Sequence, residues 1–89
     1  MDTYNWIVSG RVQGVGFRYF TYIIASKYDL RGWVKNLSDG SVEVMVQGDE
    51  TKISNLKKYL IRGNGIIKVK DIKEKILIVE ELSSFEIRY

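Results

Sequence analysis

The stretch from Gly10 to Arg18 is the part of this chain whose residue types and spacing could bind a phosphate group. Glycines at positions 14 and 16 let backbone N–H groups turn inward, because no Cβ stands in the way. A helix that begins just after them adds unpaired N–H donors at the positive end of its dipole. Arg18 falls on the first turn of that helix, where its guanidinium could contact a phosphate through two N–H groups. An arginine there opposes the helix dipole, which favours a role for its charge in binding a ligand.

The same stretch also allows a purely structural interpretation. The glycines could serve only to permit a tight strand-to-helix turn, with Arg18 exposed to solvent, since short glycine motifs are common. Two more specific phosphate motifs are excluded by the sequence. A dinucleotide fingerprint needs a third glycine where Tyr19 stands, and a P-loop needs a Gly-Lys-Ser/Thr ending that is absent. The spacing alone therefore leaves the binding and the structural interpretation open.

Two amide side chains near this stretch also merit attention. Asn36 lies near the end of a predicted strand, and considered alone it is expected to hydrogen-bond the turn that follows. Gln13 is interpreted as an amide that stabilises the glycine-rich loop rather than as a catalyst. Neither residue type indicates a reaction without further information.

The composition restricts the chemistry that the chain can perform. Its 89 residues include no Cys and no His, which removes cysteine nucleophiles, histidine-based serine triads, histidine metal ligands and the usual general base near neutral pH. The net charge of +3 would suit an anionic ligand, but the basic residues alternate with Asp and Glu, as on a solvated face. We expect one domain over residues 1–89, soluble and cytoplasmic, because no leader-like segment or long apolar run is present.

The hydrophobic pattern predicts the elements that position the glycine-rich loop. Residues Thr3 to Val12 alternate in the manner of a strand. Apolar residues then recur at the spacing of one helix face, namely at Phe17, Phe20, Ile24 and Tyr28. A strand over residues 32–37 leads to Ser38–Gly40, whose Asp-Gly pair predicts a hairpin turn.

The second half of the chain continues with a strand, a helix and two more strands. Ser41–Gln47 places three valines on one face and mostly polar residues on the other, which is typical of a half-buried strand. A helix follows from about Asp49 and ends at residues 63–65, with an apolar stripe formed by Ile53, Leu56 and Leu60. Residues 66–82 alternate apolar and charged side chains before a short strand at the C-terminus. The aromatic residues interpreted as core or rim packing are Trp6, Phe17, Phe20, Trp33 and Tyr89.

This order of elements predicts an α+β fold. The arrangement β-α-β-β-α-β, with a short C-terminal strand added, corresponds to a ferredoxin-like split β-α-β sandwich in which two helices cover one face of an antiparallel sheet. The fold hosts enzymes, metal carriers, RNA binders and regulatory domains. Function therefore has to be argued from a site.

Three stretches of the chain resemble the acylphosphatase family. They are Gly10–Arg18, the pair formed by Gly32–Asn36 and Asp39–Glu43, and the C-terminal Phe85–Tyr89, so the resemblance covers essentially the whole chain. The resemblance implies that Arg18 binds the phosphate of the substrate together with loop amides, which belong to Gly14, Val15, Gly16 and Phe17. It also implies that Asn36 orients the attacking water.

The chain departs from the pattern of this family at two turns. Members commonly carry Gly where this chain has Asp29, and a Gly-Pro turn where it has Gly63-Asn64. We expect Asp29 to adopt the left-handed conformation that Asp tolerates better than most residues. The departures concern helix ends rather than the expected site.

The resemblance implies an enzyme that hydrolyses the carboxyl–phosphate bond of acyl phosphates without cofactor or metal. Its partners would be a small-molecule acyl phosphate and inorganic phosphate, as product or competitive ligand, and we expect a monomer that binds neither nucleic acid nor membrane. One alternative is a non-enzymatic ferredoxin-like binding module, for nucleic acid or regulation. Base-stacking modules present aromatics on the third strand, and Ser41–Gln47 has none. Another alternative is a non-catalytic or fused-type acylphosphatase-like domain, such as those found in larger carbamoyl-transfer proteins.

Overall fold

Five strands and two helices follow one another along residues 1–89, all of which the computed structural model describes. Their bounds are β1 Asp2–Arg11, α1 Phe17–Lys27, β2 Arg31–Asn36, β3 Val42–Gln47, α2 Glu50–Arg62, β4 Lys68–Ile78 and β5 Phe85–Arg88. This order confirms the predicted β-α-β-β-α-β arrangement with a short C-terminal strand. Neither helix has the length and apolar character that a bilayer-spanning helix needs.

The five strands form one sheet in the order β4-β1-β3-β2-β5. The first four strands pair antiparallel, whereas β5 runs parallel to β2, with Gly32 opposite Phe85 and Val34 opposite Ile87. The sheet is therefore mixed rather than wholly antiparallel. The cause is topological: β4 and β5 lie at opposite edges and run in opposite directions, so residues 79–84 must cross one end of the sheet between them.

Gln47 holds this crossing segment in place. Its Nε2 donates to the carbonyl oxygen of Glu80 at 2.7 Å and to Oγ1 of Thr3 at 2.8 Å, and its Oε1 accepts from the N–H of Leu82 at 2.8 Å. The strand pattern had assigned Gln47 to the polar face of β3, but the side chain is fully buried. It is buried because the crossing segment covers it, and its three hydrogen bonds satisfy the polar atoms that burial removes from water.

The hydrophobic core lies between the sheet and the two helices. The strands contribute alternate residues, among them Trp6, Val8, Val34, Val42, Val44 and Val46, and α2 contributes the predicted stripe of Ile53, Leu56 and Leu60. Helix α1 differs from its prediction. Its fully buried residues are Phe17, Thr21 and Ala25, while Phe20, Ile24 and Tyr28 are only partly buried against the core. The helix is rotated toward two small residues, and Thr21 satisfies its buried hydroxyl by donating to the carbonyl oxygen of Phe17 at 2.9 Å.

Helix α1 ends in a left-handed turn at Asp29. The residue has a φ of 56°, as predicted. Its N–H donates to the carbonyl oxygen of Ser26 at 3.1 Å, and the N–H of Leu30 donates to that of Ala25 at 2.9 Å. This pair of bonds is a Schellman motif, which pairs carbonyl groups that the helix end would otherwise leave unsatisfied.

The directions of the strands bring distant parts of the chain to one end of the sheet. Strands β1 and β2 both run antiparallel to β3, and β5 runs parallel to β2, so these three strands share one direction. The C-terminal ends of β1, β2 and β5 therefore lie at the same end of the sheet. The loop after β1, the end of β2 at Asn36 and the C-terminal residue Tyr89 are neighbours for this reason.

Candidate active site

The loop over residues 12–16 joins β1 to α1 through two left-handed glycines. Gly14 has a φ of 73° and Gly16 a φ of 78°, a region that residues with a Cβ rarely adopt. A Cβ built on either glycine would meet no atom within 4 Å, so both face open space. The glycines are thus required by the backbone conformation, and the loop leaves room for a ligand beside its main chain.

The N-terminus of α1 offers its main-chain N–H groups without a protein acceptor. Gly16 is the N-cap residue, no side chain caps the first turn, and that turn contains no acidic residue. Helix α2 differs, because the side chain of Asp49 accepts from the N–H of Lys52 at 3.1 Å and Glu50 stands in the first turn. Unpaired N–H donors at the positive end of a helix dipole favour an anionic ligand.

The side chain of Arg18 is held at this helix end by the last two residues of the chain. Its Nη1 donates to the main-chain carbonyl oxygen of Arg88 at 3.3 Å, and its Cζ lies 4.6 Å from the centroid of the Tyr89 ring. Arg18 is only partly exposed. Because a guanidinium carries five N–H donors, most of them remain available to a ligand. Arg18 is therefore positioned by contacts within the chain rather than free in solvent.

Asn36 does not have the local partner that its sequence position suggests. It forms no side-chain hydrogen bond to the β2–β3 turn, and its Oδ1 is buried without any protein partner. The turn is held instead by Gln13, whose Nε2 donates to the carbonyl oxygens of Leu37 at 2.7 Å and Ser41 at 2.8 Å. A buried acceptor without a partner is costly. The expectation that Asn36 stabilises the turn was wrong, and its amide is available for another role.

Gln13 connects the glycine-rich loop to the hairpin that carries Asn36. The hairpin is also stabilised by Asp39, whose Oδ1 accepts from the N–H of Ser41 at 2.9 Å and from its Oγ at 2.5 Å. These hydrogen bonds favour the carboxylate and lower the pKa of Asp39 below its usual value. The predicted role of Gln13 in loop support agrees with these contacts.

The loop, Arg18 and Asn36 line one cleft of about 210 Å³. Of the residues predicted from the sequence, the cleft contains Gly14, Gly16, Phe17, Arg18 and Asn36. The side chain of Val15 instead packs against the core, and Gln13 lies behind the loop. No Asp or Glu side chain lines the cleft, so Arg18 supplies its only side-chain charge.

Sequence reasoning had not assigned four further residues to this cleft: Val12, Tyr19, Ile87 and Tyr89. Tyr19 follows Arg18 on the first turn of α1, and this adjacency was the only local signal for it. Ile87 lies on β5 and Tyr89 follows directly after it, and the position of β5 depends on its pairing with β2. Tyr89 had been interpreted as core or rim packing, and at 92% exposed it lies at the rim rather than in the core.

A second, wider cleft of about 470 Å³ lies between α2 and strands β1 and β4. Five of its side chains form hydrogen bonds with one another. Glu74 accepts from Nε1 of Trp6 at 2.9 Å and from Nζ of Lys57 at 3.3 Å, and the hydroxyl of Tyr4 donates to Glu50 at 3.0 Å. The bond to Glu50 raises the pKa of Tyr4. None of the polar side chains in this cleft has a buried atom without a partner, whereas Asn36 has one. No group of three or more Asp and Glu side chains that could hold a metal ion is present in the structure.

Comparison with known proteins decides the family. The model of the acylphosphatase family matches residues 4–87 of this chain. The chain belongs to the acylphosphatase family. The matched range contains the loop, Arg18 and Asn36.

Individual relatives agree with this assignment over their full length. The chain is 47% identical over 90 residues to the acylphosphatase of Clostridium beijerinckii, with 100% of both chains covered. The crystal structure of the acylphosphatase from Bacillus subtilis superposes with a TM-score of 0.94 at 42% identity, again covering 100% of both chains. The expected fold and the expected enzyme class are thereby confirmed. The roles of Arg18, Asn36 and the loop amides remain predictions.

The same fold also occurs inside a much longer protein. The structure of T. kodakarensis HypF matches with a TM-score of 0.88 at 34% identity, covering 100% of this chain but 12% of that one. The acylphosphatase family fold can therefore be one segment of a larger chain.

Proposed function

We propose that this member of the acylphosphatase family hydrolyses the carboxyl–phosphate bond of acyl phosphates by direct attack of water on phosphorus. The water oxygen bonds to phosphorus and the bridging oxygen departs with the acyl group as a carboxylate. One water proton passes to a phosphoryl oxygen, so the products are a carboxylate and dihydrogen phosphate. The observation that carries the proposal is one cleft containing uncapped helix N–H groups, the guanidinium of Arg18 and the unpartnered amide of Asn36.

The choice of an acyl phosphate follows from the leaving group. An ordinary phosphate ester releases a poor alkoxide, which needs a general acid, a metal or a covalent nucleophile. A carboxylate is stable unprotonated at neutral pH and leaves without an acid. The chain has no Cys or His, and its cleft has no acidic side chain. Such a site can bind, orient and stabilise, which is sufficient for this bond.

Separate residues of the cleft bind the phosphate and orient the water. The N–H groups of Gly14, Val15, Gly16 and Phe17 and the guanidinium of Arg18 bind the phosphoryl oxygens and spread the charge of the transition state. Asn36, which also lines the cleft, orients the attacking water through its side-chain amide. The substrate phosphate takes the proton, so the rate requires no protein group that titrates near neutral pH.

We also propose that the enzyme works as a cytoplasmic monomer without metal or cofactor, and that inorganic phosphate competes with substrate. Sedimentation at assay concentration tests the monomer, and fractionation of the source cells tests the location. Product inhibition by inorganic phosphate tests the competition.

The function is tested by following benzoyl phosphate hydrolysis by absorbance in buffer with a chelator, beside a phosphate monoester. We expect turnover of the anhydride and none of the ester. Arg18→Ala lowers turnover by at least about 100-fold, the effect of losing one electrostatic stabiliser, and weakens inhibition by phosphate. Asn36→Ala lowers kcat more than it changes phosphate inhibition. In ¹⁸O-labelled water the label enters phosphate and not benzoate.

Arg62→Ala serves as the matched control, because Arg62 also lies over a tyrosine ring, 5.5 Å from the centroid of Tyr59, but is on α2. It is expected to retain full activity. If folded Arg18→Ala and Asn36→Ala both retain nearly full activity, the assigned site is wrong. If the folded wild type hydrolyses no acyl phosphate, the proposed reaction is wrong. A pH profile governed by a protein group near neutrality would contradict proton transfer to the phosphate.

A further inference from the structure

Two exposed tyrosines stand at the mouth of the cleft. Tyr19 is 62% exposed and Tyr89 is 92% exposed, and both line the same cleft as Arg18 and Asn36. Tyr19 comes from the first turn of α1, whereas Tyr89 follows β5. Large aromatic side chains gathered at the rim of a polar cleft are a common feature of binding sites. The phosphate chemistry described above uses neither ring.

Both rings are supported by neighbouring groups. The Tyr19 ring stacks on that of Tyr22, with centroids 6.3 Å apart and an interplanar angle of 26°. The Tyr89 ring lies against the guanidinium of Arg18, 4.6 Å from its Cζ. Ile87 lines the same cleft. A ligand group that enters here meets rings whose orientation is already restricted, which reduces the entropy lost on binding.

The positions of Asn36 and of the two tyrosines indicate which part of a substrate meets these rings. In phosphoryl transfer the attacking water and the leaving group lie roughly in line, on opposite sides of phosphorus. Asn36, which would orient the water, lines the cleft, is only partly exposed and has a buried Oδ1, so it lies deeper than the two exposed tyrosines. The leaving acyl group must then point toward the mouth. The mouth is where Tyr19 and Tyr89 are exposed.

We propose that Tyr19 and Tyr89, with Ile87, form the subsite for the acyl group, and that the enzyme prefers acyl phosphates whose acyl group is aromatic or bulky and apolar. This inference rests on the proposed function of the same cleft. Face-to-face or edge contacts between a substrate ring and the tyrosines stabilise the bound substrate. A small acyl group such as acetyl is too short to gain these contacts. The two tyrosines therefore determine specificity without taking part in the chemical step.

The test compares kcat/KM for benzoyl phosphate and acetyl phosphate in the wild type and in Tyr19→Ala. We expect the benzoyl-to-acetyl ratio to fall about 3- to 10-fold in the variant, the scale of one lost aromatic contact. Tyr19→Phe keeps the ring and restores the ratio. Tyr59→Ala removes a tyrosine from α2, far from the cleft, and leaves the ratio at its wild-type value. Tyr89→Ala also lowers the ratio, and it slows both substrates because Tyr89 supports Arg18.

Inhibition by inorganic phosphate separates this inference from the proposed function. Phosphate has no acyl group, so Tyr19→Ala is expected to keep the wild-type inhibition constant within about twofold. A wild type that hydrolyses acyl phosphates, together with an unchanged ratio in Tyr19→Ala, would overturn the acyl subsite alone. An equal loss for both substrates in that variant would do the same. A folded wild type that hydrolyses neither substrate overturns the proposed function, and the subsite with it.

Discussion

The guanidinium of Arg18 donates from Nη1 to the main-chain carbonyl oxygen of Arg88 at 3.3 Å, although 70 positions separate the two residues. The contact exists because β5 runs parallel to β2 and ends beside the N-terminus of α1. The C-terminal residues of the chain thus hold the side chain that the proposed mechanism places on the phosphate. This relationship leads to the first prediction.

Removing residues 88–89 deprives Arg18 of both the carbonyl oxygen and the aromatic ring that hold it. We expect kcat/KM for acetyl phosphate to fall about 10-fold, because a hydrogen bond from a charged group contributes roughly 1.5–3 kcal/mol. Acetyl phosphate is the preferred substrate for this test because its acyl group is too small to contact Tyr19 and Tyr89. Its rate therefore does not change through loss of the acyl-group contact with Tyr89. The inhibition constant of inorganic phosphate rises in parallel.

The matched control for this truncation is Arg88→Ala, which removes the side chain but keeps the carbonyl oxygen. It is expected to stay within about threefold of wild-type kcat/KM, since the contact to Arg18 comes from the main chain. Circular dichroism establishes that both proteins are folded. Equal activity in the truncated chain and in Arg88→Ala would show that the C-terminal residues do not position Arg18.

Gln13→Ala is predicted to destabilise the contact between the glycine-rich loop and the β2–β3 hairpin. It removes two hydrogen bonds, to the carbonyl oxygens of Leu37 and Ser41, which then keep only their main-chain donors, the N–H groups of Gly40 and Leu37. We expect a loss of about 1–3 kcal/mol in the free energy of unfolding, seen as a Tm lower by about 4–24 °C. Turnover falls as well, because the loop and Asn36 no longer keep a fixed separation.

Gln13→Glu distinguishes the hydrogen bonds from the bulk of the side chain. At pH 7 its carboxylate would face two carbonyl oxygens, so we expect it to be less stable than Gln13→Ala. Below about pH 4 the carboxyl becomes protonated and can donate again, so its deficit shrinks. A Gln13→Glu protein as stable as the wild type at pH 7 would contradict this account.

The stability of the hairpin is predicted to depend on the ionisation of Asp39. Its pKa is lowered by the hydrogen bonds from the hydroxyl and N–H of Ser41, so the folded state favours the carboxylate. The carboxylate therefore adds stability that is complete above the ordinary pKa of about 3.9 and is lost as the pH falls through the lower, folded value. We expect wild type to exceed Asp39→Ala in Tm at neutral pH and the gap to narrow below about pH 4. Thermal unfolding at a series of pH values measures it.

Asp39→Asn is the control for this titration, because its amide oxygen still accepts a hydrogen bond but carries no charge. The Tm difference between Asp39→Asn and Asp39→Ala is expected to be independent of pH. A gap between the wild type and Asp39→Ala that keeps its size in acid would mean that the carboxylate contributes nothing through its charge.

Asp29→Gly is predicted to stabilise the protein. Asp29 occupies the left-handed conformation, with a φ of 56°, which costs an L-residue roughly 1–2 kcal/mol and Asp somewhat less. Glycine avoids this cost but loses more backbone entropy on folding. The expected net gain is about 0.5 kcal/mol, or about 2–4 °C in Tm. Asp29→Ala, which keeps a Cβ without a polar group, is expected to lower the Tm, and a rise in Tm for Asp29→Ala would show that the strain is absent.

The elements of this fold were predictable from the sequence because their patterns are local. The alternation in β3, the stripe of α2 and the Asp-Gly turn each depend on residues a few positions apart. The buried face of α1 was predicted wrongly in part, because a prediction from hydrophobic periodicity places the large apolar residues Phe20, Ile24 and Tyr28 toward the core. The structure buries Thr21 and Ala25 there, because small residues let the helix approach the sheet closely.

The sequence by itself determined that a glycine-rich loop precedes a helix carrying Arg18, and that the chain contains no Cys or His to direct another chemistry. The tertiary structure alone decided which groups face each other across that loop. In the folded chain the Oδ1 of Asn36 has no partner, because Gln13 supplies the side-chain hydrogen bonds to the β2–β3 turn. The fold also places the ring of Tyr89 against the guanidinium of Arg18. These relationships depend on β5 adding to the free edge of β2 after a crossing that Gln47 holds. Pairing between strands so far apart in the chain is set by edges and core packing, which short-range residue patterns do not encode.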